Sequence, residues 1–171
     1  VFDHADPDFP IAIAAINSAR SVTLTGPKPE LQRFGKWVRK TYRFACVQLD
    51  LDSPYHSVLL DPYEAKFRHA LGDFQPSDAL VRYFSCTRGY EVAGADLGAG
   101  YWCDNLRQPV LFQSAVESAI AAGFDCFLEI GASPVLASYI SDSAKAATGD
   151  VVVTRTLSKT DPKGVNPVAR A

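Results

Sequence analysis

Three histidines, His4, His56 and His69, are the side chains of this 171-residue sequence whose ordinary titration lies near neutrality. They are the natural candidates for taking a proton from a weak nucleophile. His4 lies in the acidic opening Asp3-His4-Ala5-Asp6-Pro7-Asp8, whose residue types also suit a metal loop. One histidine and three aspartates around a proline far more often make a solvated turn, and that is the expectation adopted. His69 follows Arg68 on an expected helix, in an exposed position. His56 comes after Ser53-Pro54-Tyr55, at the end of a strand-like run. By position alone it is either a base facing a cleft or a loop residue bonded to its neighbours. Ser57 beside it lacks the glycines of an exposed serine elbow, and no Gly-x-Ser-x-Gly occurs anywhere in the sequence.

The four cysteines, Cys46, Cys86, Cys103 and Cys126, are widely and irregularly spaced, with no Cys-x-x-Cys pair. Zinc-ribbon and thioredoxin-like sites are therefore not expected. Each has apolar or aromatic neighbours, where a free thiol acts as a small hydrophobe, so buried, reduced cysteines and a cytoplasmic protein are expected.

The elements that must position these groups follow from periodicity. Residues 10–16 are an apolar run leading into Asn17-Ser18-Ala19-Arg20, and residues 21–25 read as a strand ending at Gly26. From Pro27 or Pro29 to Tyr42, Leu31, Phe34, Val38 and Tyr42 recur at helical steps and form one apolar face. Residues 45–51 alternate like a strand. A second helix starts near Asp61, with Asp61 as cap, Pro62 at its first position and Glu64 at its third. Leu59, Leu60, Tyr63, Phe67, Ala70 and Leu71 are its expected buried side.

Residues 83–86 and 90–92 flank Thr87-Arg88-Gly89 and predict a hairpin. Residues 114–122 predict a helix with Ala115, Val116, Ala119 and Ile120 inward. Residues 126–130 predict a short strand buried between helices. Gly131-Ala132-Ser133-Pro134 then turns into a helix reaching Ile140, with Ser133 as cap. The last 20 residues read as an extended linker.

Composition narrows the function classes. At 47% hydrophobic and 21% charged the sequence is that of an ordinary globular domain. Its net charge of −2 and lack of a basic stripe argue against nucleic-acid binding, which relies on many phosphate contacts. No apolar run approaches a membrane span of about 20 residues, and no signal peptide opens the chain. The sequence contains no methionine, which suggests a segment excised from a longer product.

Four blocks, in order, resemble the acyltransferase domains of polyketide synthases and the malonyl-CoA:acyl carrier protein transacylases. They are Ala15-Ile16-Asn17-Ser18-Ala19-Arg20-Ser21-Val22-Thr23-Leu24-Thr25-Gly26, then Ser53-Pro54-Tyr55-His56-Ser57 at the place of the family's histidine motif. The third is Tyr101-Trp102-Cys103-Asp104-Asn105-Leu106-Arg107-Gln108-Pro109-Val110-Leu111-Phe112, and the fourth Phe127-Leu128-Glu129-Ile130-Gly131-Ala132-Ser133-Pro134-Val135-Leu136. The resemblance covers residues 10–142 and implies the C-terminal half of such a domain.

The implied fold is α/β. Residues 1–52 would form most of a ferredoxin-like small subdomain, residues 53–150 the C-terminal part of an α/β-hydrolase-like large subdomain, and residues 151–171 a linker. The implied activity moves an acyl group from CoA to a serine and then to the phosphopantetheine thiol of an acyl carrier protein. Such enzymes serve antibiotic biosynthesis among other routes. The family's serine, oxyanion donors and carboxylate-binding arginine would all precede residue 1, so this chain alone is expected to be inactive; Arg20 and Arg107 do not match that arginine.

The resemblance further implies that His56 is the base and that the backbone carbonyl of Gln108 orients it. Tyr55 and Asn17 would contact substrate. A large ring before the histidine goes with malonyl in this family, and Tyr55 occupies that position. CoA thioester is implied as substrate, with no covalent cofactor and no metal. The implied partners are the carrier protein, the N-terminal half of the same domain and neighbouring synthase domains. A non-catalytic carrier-docking module and an acyl-ester hydrolase relative are the alternatives.

Overall fold

In a computed structural model of the chain, residues 10–49, 51, 53–147 and 150–157 are described. Their helices and strands alternate in an α/β order and group into two compact units. Among the described residues, the first comprises residues 10–15, 22–49, 51, 53–78 and 94–110, and the second residues 16–21, 79–93, 111–147 and 150–157.

Strands β1 (Ala12–Ser18) and β2 (Ser21–Thr25) pair around the Ala19-Arg20 turn. The chain then passes Gly26, where a Cβ would stand 3.0 Å from both Ile11 Cγ2 and the Pro10 carbonyl oxygen, and enters α1 (Lys28–Tyr42). The periodic apolar stripe predicted this helix. Phe34 and Val38 are buried against Ile11, with Leu24, Leu31 and Cys46 packed around them. Fully burying side chains of this size stabilises by roughly 1.5–3 kcal/mol each. Arg43, in the left-handed region at φ 58°, ends the helix by returning its N–H to the Arg39 carbonyl.

Two expectations fail in the next stretch. Residues 43–49 and 51 form no strand. Alternation supplies a face, but a strand also needs a neighbour for its N–H and C=O groups, and no described strand pairs with this one. Val47 and Leu49 are accordingly exposed. A single 3₁₀ turn (Val58–Leu60) then leads into α2 (Asp61–Leu71), which begins where Asp61-Pro62 predicted. None of its residues is buried, however, and Leu59 and Tyr63 are exposed. The apolar stripe is present, but its main described neighbours, the 3₁₀ turn and α3 (Ala99–Arg107), are too small to cover it. In α3 itself Tyr101 and Cys103 are buried.

The second unit carries the predicted hairpin of β3 (Tyr83–Ser85) and β4 (Tyr90–Val92), antiparallel with Phe84 opposite Glu91. Its turn depends on Gly89, at φ 80°, where a Cβ would meet that of Ser114 at 2.9 Å. Ser85, fully buried, accepts the N–H groups of Thr87 and Arg88 on its hydroxyl, both at 3.1 Å. Arg82 grips Glu91 through two hydrogen bonds, while its guanidinium lies over the rings of Phe84 and Phe124.

Helix α4 (Phe112–Ala121) buries Ala115, Val116 and Ala119 and packs on the hairpin and on α5 (Ala137–Ala146). Strand β5 (Cys126–Glu129) runs parallel to β6 (Val152–Arg155), pairing Phe127 with Val153. The segment expected to be linker from residue 151 thus opens with a strand, because Val152 and Val153 find ladder partners on β5. Beyond residue 157 the expectation lies outside the described residues. β5 is also less buried than predicted, with Cys126 and Leu128 exposed. The cysteines are all free, and of the four only Cys103 is buried. No described helix is long and apolar enough to cross a membrane.

Candidate active site

The loop after residue 53 is held from within before it is held from outside. Ser57, buried, donates its hydroxyl to the Pro54 carbonyl at 2.8 Å and accepts the Leu59 N–H at 3.3 Å. Those bonds close the chain around His56 and start the 3₁₀ turn. His56 itself takes a left-handed backbone, φ 60°, which costs a non-glycine residue about 1–2 kcal/mol. Strain of this kind persists only where the surroundings over-determine it.

The surroundings here are the C-terminus of α3. The His56 N–H donates to the Leu106 carbonyl at 3.2 Å, and His56 Nδ1 lies 2.7 Å from the Gln108 carbonyl oxygen. A carbonyl oxygen only accepts, so Nδ1 carries the proton. In the neutral ring the lone pair is then on Nε2, which no described residue bonds. A half-buried imidazole with Nδ1–H fixed and Nε2 basic can accept a proton from a hydroxyl.

The carbonyl is aimed by local sequence. Gln108 is the residue after α3 and precedes Pro109, which disfavours helical angles; its φ −79° and ψ 157° are extended. Its own N–H returns to the Asp104 carbonyl at 2.7 Å. The following Val110 donates to Ala14 of β1 at 2.8 Å, so the chain is fixed on both sides of the Gln108 carbonyl.

The structure thus brings His56 and Gln108 together. Tyr55 is exposed, its ring 6.4 Å from that of His56, and it lines an open depression of about 470 Å³ with Ser53, Pro54, Leu59, Leu60 and Tyr63. Asn17 is buried on β1, within the stretch that groups with the second unit. His69 is exposed on α2, and the acidic opening with His4 lies outside the described residues. Among those residues no cluster of three or more metal-type side chains occurs. Burial pushes the Cys86 and Cys103 thiols up, away from thiolate chemistry.

Two groups were missed by sequence reasoning. Asp61, expected to cap α2, is instead its first residue, makes no cap bond, and pairs with Arg107 Nε. The signal, opposite charges at the ends of two helices, is 46 residues apart in sequence and needs the fold to be seen. Glu129 is the second. Its Oε1 accepts the N–H groups of Val135 and Leu136 at 2.7 and 3.0 Å, and its Oε2 that of Ala137 at 2.9 Å. Burial works against the Glu129 charge, but these three bonds outweigh it and hold the carboxyl below the usual range. They also displace the expected helix start at Ser133-Pro134 to Ala137, because a carboxylate takes the donors that a serine cap would have satisfied.

Comparison with known proteins agrees on one kind of relative. The model of the acyl transferase domain family matches residues 5–167. Polyketide synthase GfsA of Streptomyces halstedii is 33% identical over 154 residues, 88% of this chain and 2% of that protein. The acyltransferase domain from module 8 of the salinomycin polyketide synthase superposes with a TM-score of 0.87 at 25% identity, over 94% of this chain and 38% of its own. That of phenolphthiocerol/phtiocerol synthase A from Mycobacterium bovis (BCG) gives 0.79 at 30% identity, over 89% and 60%. The chain therefore spans a small part of the first curated relative and well under half of the first solved domain.

Proposed function

The chain belongs to the acyl transferase domain family, and from that premise we propose that it is the C-terminal part of a polyketide synthase acyltransferase. In this reading residues 1–52 are most of a ferredoxin-like small subdomain and residues 53–150 the returning part of a hydrolase-like one. The serine nucleophile lies on a segment preceding residue 1.

His56 is the general base. Its Nε2 takes the serine proton as the oxygen attacks the thioester carbonyl of acyl-CoA. Collapse of the tetrahedral intermediate breaks the C–S bond, and the imidazolium returns the proton to the departing CoA sulfur. In the second half the carrier protein's phosphopantetheine thiol gives its proton to Nε2 and attacks the serine ester, and the serine oxygen leaves with that proton. Both halves need an imidazole that is neutral, oriented and basic at Nε2. The observation that supports this is the 2.7 Å bond from Nδ1 to the Gln108 carbonyl. It supplies by main chain the orientation and tautomer that a carboxylate supplies in hydrolytic triads, without the carboxylate's charge.

Malonyl is the proposed acyl group. Tyr55 stands beside the base, and a ring there narrows the space at the substrate α-carbon. One methyl in a pocket is worth about 1–3 kcal/mol of discrimination.

The test is a loading competition between malonyl-CoA and methylmalonyl-CoA, read by intact mass. The domain extended through its upstream half should gain a malonyl adduct in preference, and Tyr55→Ser should shift the ratio toward methylmalonyl. Residues 1–171 alone should gain none. An adduct on this chain alone would overturn the placement of the serine, and release of free acid without transfer would favour an ester hydrolase.

A further inference from the structure

His56 is bound by two of three consecutive positions at the end of α3: Leu106 takes its backbone N–H and Gln108 its ring N–H. The position between them, Arg107, turns its side chain to Asp61, the first residue of α2 and five residues after His56. The loop is therefore tied to the α3 terminus at both of its ends. One end is main chain and ring, the other an ion pair, with the Ser57-capped 3₁₀ turn between them. We infer that the Asp61–Arg107 pair is a positioning device for His56: it keeps the loop in register so that Nδ1, and not Nε2, meets the Gln108 carbonyl. The inference rests on the reading of His56 as the base.

The physical need comes from the backbone. His56 is left-handed and lacks the freedom of glycine, so an unclamped loop relaxes toward ordinary angles and swings the ring away. Two hydrogen bonds to neighbouring carbonyls fix one residue but leave the segment free to pivot about it. A second anchor five residues on removes that pivot. Arg107 suits the task because Nε lies on the short side of a planar fork, which gives the pair a defined direction. Its side chain is only 26% exposed, against 56% for Asp61. Each charge also sits at the helix end that favours it, acidic at the start of α2 and basic in the last turn of α3. Each would therefore have some value alone, and a test must separate the pair from its parts.

The experiment uses the complete acyltransferase domain, labelled with ¹⁵N in histidine, with the His56 signals identified by their loss in His56→Gln. The wild type should show the neutral Nδ1–H tautomer. Arg107→Ala and Asp61→Asn should each convert His56 to a mixture of tautomers. Each should also slow single-turnover acyl loading by roughly tenfold, the scale of a small misplacement, with KM for the CoA thioester changed less than about twofold. The double variant should lose no more than either single one, and Arg107→Lys, which keeps the charge but not the planar Nε donor, should fall between wild type and Arg107→Ala in both properties. An unchanged tautomer in folded Arg107→Ala, or losses that add in the double variant, would overturn the inference. A changed tautomer with unchanged loading would uphold the positioning device and refute His56 as the base.

Discussion

His56 and Glu129 are both polar side chains bonded to main chain, in opposite senses. At His56 a ring N–H donates to one carbonyl beyond the end of a helix, and the second ring nitrogen is left uncommitted. At Glu129 both carboxylate oxygens are engaged, by three N–H groups leading into a helix. The first group sits on a strained backbone, and the second on a strand with a ladder partner. A residue that must take and return a proton cannot have all its bonding capacity spent on the fold. A residue that shapes a turn gains from spending all of it. On the proposed reading the contrast places chemistry at one corner and architecture at the other, and it can be broken from either side.

The largest effect is expected at His56. In the complete domain, His56→Ala should lower acyl loading and transfer by about two orders of magnitude or more. The melting temperature should barely move, because a half-buried loop side chain contributes little packing. If calorimetry instead shows the domain losing its cooperative transition, His56 is a staple of the same kind as Glu129, and the contrast fails.

Glu129→Ala should show the reverse pattern, in stability first. Removing a charged acceptor from three N–H groups is expected to cost about 2 kcal/mol, measurable by urea unfolding of the complete domain. The His56 tautomer should stay as it was. The pH dependence has a definite sign. The folded carboxyl titrates below the ordinary range, so its contribution is fully present above the unfolded value and is lost as pH falls through the folded one. The stability gap between wild type and Glu129→Gln should therefore be widest near neutrality and close under acid. A gap that widens on acidification would mean that the three bonds do not hold a carboxylate.

How far the sequence spoke for these corners depends on the range of the cause. α1 was legible from its stripe and its prolines, and the β3–β4 hairpin from Thr87-Arg88-Gly89, because the physics there is local. The start of α5 was misread for the opposite reason. Ser133-Pro134 is a sound local signal, but the acceptor that wins, Glu129, sits on the preceding strand and reaches over the turn. The stripe on α2 and the alternation at residues 45–51 announced apolar faces without saying what would cover them, and no described element does so fully. The pairing of His56 with Gln108 spans 52 residues. Residue types alone left His56 between two roles; the order of the four blocks supplied its partner, and Asp61–Arg107 was in neither.

The smallest expected effect is the sharpest test of the contrast. Gln108→Ala in the complete domain removes the whole amide side chain from a position that the proposal places within bonding distance of the base. If the orienting group is the main-chain carbonyl, the substitution leaves it in place. The extended conformation is set by Pro109, by the N–H bond to Asp104 and by the Val110 bond to Ala14, none of which uses the Gln108 side chain. Loading rate, the His56 tautomer and stability should therefore all stay within about twofold or about 0.5 kcal/mol of wild type, the ordinary scatter of surface substitutions. Glu129→Ala, a truncation of similar size, takes its acceptor away with it and should not be silent. A Gln108→Ala domain that loses the Nδ1–H tautomer would show that the side-chain amide orients His56, and that the two corners are built on the same principle after all.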